Sequence, residues 1–189
     1  MKEFKLLKGA DVNQIDELTD GLVNTMGYSD PEVLYPDFDE AESDDGVVAE
    51  WFYDAYRDNS NTSEIYAIIQ YTGQASMFDE VGQLLMGIAL TEMKHYDKLS
   101  DFIKQLGGTI KLPFGTSIVK YGETPREALE LALEGEIDTI KTYKKLLERV
   151  TSVEPETKTT LIAAQFVSKL IADEEVHKEL LEKKLKEFE

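Results

Sequence analysis

The chain contains no cysteine, two histidines and five prolines, and its 20 bases face 38 acids over 189 residues. Without cysteine there is no disulfide framework, thiolate zinc site, thiol nucleophile or cysteine-ligated iron–sulfur centre. The shortage of bases gives a net charge of −18, which argues against holding nucleic acid or an anionic membrane by bulk electrostatics. Long apolar runs are missing too. The most apolar stretch, Leu84 to Leu90, is far too short to span a bilayer. Met1–Val12 lacks the apolar core of a secretory signal. The expectation is a soluble cytoplasmic domain, since 42% hydrophobic residues suit a globular chain and are too many for a disordered one. At this length one core suffices.

The acid is unevenly spread. Residues 1–63 carry a net charge of −12 and residues 64–189 a net charge of −6. Pro31, Pro36 and the acidic run from Asp37 to Asp45 read as a solvated loop. Residues 1–45 are therefore expected to form an acidic, mostly loop segment ahead of a domain over 46–189. The aromatics between Trp51 and Tyr56 suggest the start of a first long helix. Asn59-Ser-Asn-Thr62 is poor helix material and predicts a bend or break before Glu64.

From Glu64 onward the periodicity is helical. Val81, Leu85, Ile88, Glu92, His95, Leu99, Phe102 and Leu106 alternate steps of four and three, one buried seam with two polar residues at its centre. Gly107-Gly108 closes that helix, and a long connection follows to about Glu123. Thr124-Pro125-Arg126-Glu127 reads as cap, first-position proline and capping box. The next seam is Leu129, Leu133, Glu136, Ile140, Tyr143, Leu147, Val150; Pro155 marks the last start, with Ala163, Val167, Leu170, Glu174, His177 and Leu181 behind it. The expected architecture is all-α, a four-helix bundle with a long connection between its second and third helices.

Each seam holds a carboxylate where a bundle wants leucine. Glu92-Met-Lys-His95 and Glu174-Glu-Val-His177 are both E-x-x-H and use both histidines of the chain. Residues three apart on a helix share a face, so each pair offers an oxygen and a nitrogen to one metal ion. Glu64-Ile-Tyr-Ala-Ile-Ile-Gln-Tyr71 and Glu136-Ile-Asp-Thr-Ile-Lys-Thr-Tyr143 share E-I-x-x-I-x-x-Y. The chain thus reads as two related helix pairs with six inward candidates: Glu64, Glu92, His95, Glu136, Glu174 and His177. Four buried carboxylates need protons or cations, and two divalent metals would balance them.

From Glu64 to about Glu182 this pattern resembles the ferritin-like di-iron and di-manganese carboxylate superfamily, nearest its rubrerythrin and manganese-catalase branches. The ligand pattern of that superfamily, a lone Glu from each of two helices and a Glu-x-x-His from each of the others, is matched at all six positions. The resemblance implies that Glu92 and Glu174 bridge two iron or manganese ions. Glu64 and Glu136 would be terminal ligands, with His95 and His177 on one metal each. Tyr71 and Tyr143 would hydrogen-bond near the cluster, or simply pack in the core. Glu-Met-Lys-His-Tyr-Asp-Lys-Leu99 locally resembles bacterioferritin, which would make Met93 a haem ligand; helix-surface packing is the alternative.

The implied function is an oxidoreductase acting on hydrogen peroxide or dioxygen in a catalase-like or peroxidase-like manner. An external electron donor would be needed for any reductive cycle, because no cysteine-ligated domain is built in. Rubrerythrins carry a further Glu three residues after the third-helix ligand, and here that position is Thr139. The alternatives are a ferroxidase or iron-binding protein of bacterioferritin type and a non-enzymatic assembly protein. A homo-oligomer, dimer or larger, is expected. The twelve residues after His177 leave little room for a short fifth helix, which counts against a storage shell.

Overall fold

The computed structural model describes residues 23–43, 46–57, 61–110 and 119–188. Its long elements are α1 (Ala49–Arg57), α2 (Glu64–Met77), α3 (Asp79–Gln105), α4 (Pro125–Thr151) and α5 (Lys158–Leu185). Short 3-10 turns lie at Phe38–Glu40 and Lys186–Phe188, and there is no strand among the described residues. The helices build a bundle in which α2 packs on α3 and α4 on α5. None is long and apolar enough to cross a membrane.

The first bundle helix is broken where the polar run ahead of Glu64 predicts it. α1 ends at Arg57, Ser63 is extended at φ −105° and ψ 140°, and α2 begins on Glu64 itself. A carboxylate in that first turn faces the positive end of the helix dipole. α3 closes on Gly107 at φ +80°, where an added Cβ would meet Ser43 Oγ at 2.5 Å. The connection to α4 is tied at both ends to the first two helices. The Tyr53 hydroxyl donates to the Thr109 carbonyl at 2.7 Å and accepts from the Thr109 N–H. Gln70 Nε2 donates to the Lys120 carbonyl, and the Lys120 N–H donates to the Tyr66 hydroxyl. Residues 111–118 of that connection lie outside the described residues.

Three local expectations shift. Thr124 caps α4 by accepting from Glu127 N–H, but the Glu127 carboxylate accepts from Glu123 N–H, one residue before the cap. α5 starts at Lys158, three residues beyond Pro155, with a capping box between Thr157 and Thr160. On α4 the buried face includes Ala132 and Leu146, while Leu133 and Leu147 are only partly buried.

Two apolar layers flank the polar centre of the seams. One gathers Phe52, Leu99, Phe102, Phe166 and Leu170; the other gathers Val81, Leu85, Ile88, Leu129 and Leu181. In the first, Phe166 lies 5.3 Å from Phe102 and 4.9 Å from Phe38, centroid to centroid. Phe38 belongs to the acidic run, which is therefore not a free loop. Ala41 is buried, Glu42 N–H donates to Thr159 Oγ1, and Ser43 Oγ donates to the Leu106 carbonyl. Residues 1–22 and 44–45 of the expected acidic segment lie outside the described residues. Phe166→Ala is expected to cost about 3–5 kcal/mol of folding free energy, measured by urea denaturation; a loss below about 1 kcal/mol would show that this aromatic layer is not tightly packed.

Candidate metal centre

Glu64 comes from α2, Glu92 and His95 from α3, Glu136 from α4, and Glu174 and His177 from α5. Each is at most 2% exposed. Their donor atoms fall into two overlapping groups, each within 4.8 Å: Glu64, Glu92, His95 and Glu174 in one, Glu92, Glu136, Glu174 and His177 in the other. Glu92 and Glu174 belong to both. Glu92 turns Oε2 toward His95 Nδ1 at 3.1 Å and Oε1 toward His177 Nδ1 at 3.0 Å. Glu174 turns Oε1 toward His95 Nδ1 at 3.2 Å and Oε2 toward His177 Nδ1 at 3.3 Å. Glu64 Oε2 and Glu136 Oε2 approach one imidazole each, at 3.7 and 3.6 Å.

The outward ring nitrogens define the tautomers. His177 Nε2 lies 2.8 Å from the Tyr28 carbonyl oxygen, which can only accept, so Nε2 carries a proton. His95 Nε2 faces Asp173 Oδ2 at 3.1 Å and donates to it. Both Nδ1 atoms therefore turn their lone pairs toward the carboxylates when the rings are neutral. Two tyrosines hold the outer glutamates crosswise. The Tyr71 hydroxyl donates to Glu136 Oε1 at 2.7 Å, and the Tyr143 hydroxyl donates to Glu64 Oε1. Each tyrosine thus serves the glutamate of the other E-I-x-x-I-x-x-Y motif.

The charges of the cluster follow from burial and crowding. Burial first, then the Glu92 charge, raises the Glu64 pKa well above its ordinary value. Burial and the neighbouring Glu174 do the same to Glu136. Burial alone would depress both histidines, but the surrounding negative groups outweigh it and hold both pKa values well above normal. Burial opposes ionisation of Glu92 and Glu174 as well; for Glu92 the imidazolium of His177, and for Glu174 hydrogen bonds from Glu136 and both imidazoles, bring each pKa below its ordinary value. These directions favour ionised Glu92 and Glu174 beside protonated imidazoles, a charge-balanced arrangement in a buried site.

The donor set fits hard or borderline divalent metals, oxygen-rich with one nitrogen in each group. Glu92 Oε1 and Glu174 Oε1 are buried and face imidazole Nδ1 atoms at 3.0 and 3.2 Å, but neither contact has hydrogen-bond geometry. Buried oxygens without an aligned donor are better satisfied by a metal ion placed between them.

Several residues behind the cluster carry no sequence motif. Asp173 Oδ1 accepts from Ser29 Oγ, Asp30 N–H and Lys169 Nζ at 2.7–2.9 Å. Lys169 is buried and also donates to Ser29 Oγ and the Asp30 carbonyl. These contacts hold the Asp173 pKa down to about 2 against the opposing effect of burial, chiefly through His95 and Lys169. The only hint in the sequence is the i, i+4 spacing of Lys169 and Asp173. Met93, by contrast, is 40% exposed and outside the cluster, and Thr139 is buried near Glu136.

An all-helical bundle with a buried cluster of four carboxylates and two imidazoles, suited to metal ions, defines the class of protein. A model of the ferritin-like domain matches residues 58–189, and the chain belongs to that family. It is 31% identical over 125 residues to a bacterioferritin of Rhodobacter capsulatus, covering 64% of this chain and 74% of that protein. Its fold is similar to a Rhodobacter capsulatus bacterioferritin structure described as having a metal-free dinuclear site and haem iron. That match has a TM-score of 0.64 and 26% identity, over 77% of this chain and 88% of the other. A ferritin-like di-iron-carboxylate protein from Bacillus anthracis aligns with a TM-score of 0.60 and 30% identity, over 76% and 99% of the two chains. The similarity to bacterioferritins fits the iron-binding alternative better than the catalase-like reading.

Proposed function

We propose that the cluster is a dinuclear ferroxidase-type centre that binds and oxidises iron(II). Glu92 and Glu174 would bridge the two ions, Glu64 and Glu136 would be terminal ligands, and His95 and His177 would bind one ion each. The observation that carries this reading is that both bridging candidates turn one oxygen toward each imidazole. Manganese suits the same donors, but the similarity to bacterioferritins favours iron.

Iron(II) is here the substrate and dioxygen the oxidant. Two iron(II) ions supply two electrons, and one dioxygen takes up those electrons with two protons to leave hydrogen peroxide. The protein supplies the geometry. Glu64 and Glu136 release their protons as cations arrive, Tyr71 and Tyr143 hold the outer carboxylate oxygens, and the two apolar layers limit water. Aerobic addition of iron(II) to the metal-free protein is the test. Rapid oxidation at about two irons per dioxygen supports the reading; no acceleration over protein-free buffer removes it. Oxygen evolution from peroxide alone would instead favour the catalase-like cycle expected from the sequence.

Tyr71→Phe is expected to keep two bound metals and weaken them about tenfold, read by calorimetric titration; unchanged affinity would make Tyr71 a packing residue. Haem ligation at Met93, which would need a second copy of the chain, is tested by haemin titration. A Soret band lost in Met93→Ala supports it, and identical spectra exclude it. The solution mass reads the homo-oligomer directly. An assembly-only role is the weaker reading, because packing alone does not call for six buried ligating groups.

A further inference from the structure

Resting on the dinuclear reading, we propose that residues Tyr28–Asp30 are a positioning strap that makes the two metal positions inequivalent. The helix pairs repeat, so the residues just before the two E-x-x-H motifs, Thr91 and Asp173, are equivalent by motif position. Asp173 sets a carboxylate behind His95 at 3.1 Å. Its counterpart Thr91 has no carboxylate to give. The backbone carbonyl of Tyr28 takes that place, accepting from His177 Nε2 at 2.8 Å and from Thr91 Oγ1 at 3.2 Å.

The strap is seated at defined points. The Tyr28 ring lies so close over α3 that a Cβ on Gly87 would collide with its Cζ and Cε2 atoms. In the next two residues, Ser29 Oγ and Asp30 N–H grip Asp173, and the Asp30 carbonyl and Ser29 Oγ take Lys169 Nζ. One short segment therefore supplies the outer partner of His177 and holds that of His95.

The two backings differ chemically. A carboxylate accepting from an imidazole N–H raises the basicity of the opposite nitrogen more than a neutral carbonyl does. Asp173 is itself anchored by a buried ammonium, which fixes its direction. The position formed by Glu64 and His95 is thus the stronger donor site and fills first; the Glu136 and His177 position fills second and depends on the strap.

Because the chain has only two histidines, imidazole NMR on selectively labelled protein reads each half separately. Zinc is the diamagnetic probe, followed in parallel by calorimetry. In the unaltered protein the first equivalent of zinc should shift chiefly one imidazole, with the two affinities about tenfold apart. Thr91→Val, which keeps shape and removes the hydroxyl, and Gly87→Ala, which displaces the Tyr28 ring, should each weaken the second site by about tenfold and move that imidazole alone. Asp173→Asn should move the other imidazole and weaken the first site. Equal affinities with both imidazoles shifting together, or no response of either imidazole to Thr91→Val and Gly87→Ala, would overturn the inequivalence. If no zinc binds, the dinuclear reading fails instead, and the imidazole shifts of the metal-free variants still test the strap.

Discussion

Loading both metals is expected to release protons, up to four per chain where Glu64, Glu136, His95 and His177 all carry one. Glu64 and Glu136 have raised pKa values, so burial keeps them protonated in the metal-free protein beyond the usual carboxylate range. His95 and His177 have raised values as well, so the surrounding negative groups favour the charged rings. Metal ligation needs the opposite state at all four groups: ionised carboxylates and neutral imidazoles. The metal-free cluster binds the extra protons, so lowering the pH opposes metal and raising it favours metal. Where all four groups are protonated, the two-metal constant should rise by up to about ten-thousandfold per pH unit. The exchange is electrically neutral, two divalent cations for four protons, so no net charge is buried. Calorimetry in buffers of different ionisation enthalpy counts the protons directly. Release below about one proton per chain would mean that the cluster is already deprotonated, and the electrostatic account would be wrong.

The second large effect separates bridging from terminal carboxylates. Glu174→Gln is expected to abolish tight binding of both metals, since its two oxygens face different imidazoles. Glu92→Gln should do the same. Glu64→Gln touches one group only and should leave one metal bound at the Glu136 and His177 end. The amide is close in shape to the carboxylate, so helix content by circular dichroism should be unchanged. A folded Glu174→Gln protein that still holds two metals would exclude the bridge. Cations that bind the native cluster and not the unfolded chain should stabilise the unaltered protein by about 4 kcal/mol for each site held at a thousandfold excess over its Kd. The Gln variants at the bridging positions should lose that gain.

The parts of this architecture written in side-chain identity and period were legible in the sequence. The α3 and α5 seams, the interruption before Glu64 and the turn at Gly107 depend on local periodicity, on polar helix-breaking residues and on a positive φ. Glu64, Glu92, His95, Glu136, Glu174 and His177 stood out because charged groups interrupt apolar stripes, and the structure brings all six together. The α4 register is less legible: Leu133 and Leu147 follow the periodicity, yet Ala132 and Leu146 are the more buried. Which of two neighbouring apolar residues turns inward depends on the facing helices, and single-chain patterning does not carry it.

The surroundings of the cluster were hidden for other reasons. The Tyr28 carbonyl is a backbone atom with no residue signature, and it reaches His177 across 149 positions. Asp173 looks like one acid in an acidic stretch until Ser29, Lys169 and His95 are seen around it. The acidic run near Phe38 reads as solvated by charge count, yet one phenylalanine and one threonine contact dock it on the bundle. Tertiary contacts of this kind override local composition.

The most direct measurement is anaerobic titration of the metal-free protein with iron(II), counting ions bound per chain. The dinuclear account predicts a break at two ions per chain, absent from the His95→Ala/His177→Ala double variant. A break below one ion, or an unchanged break in the double variant, would contradict it.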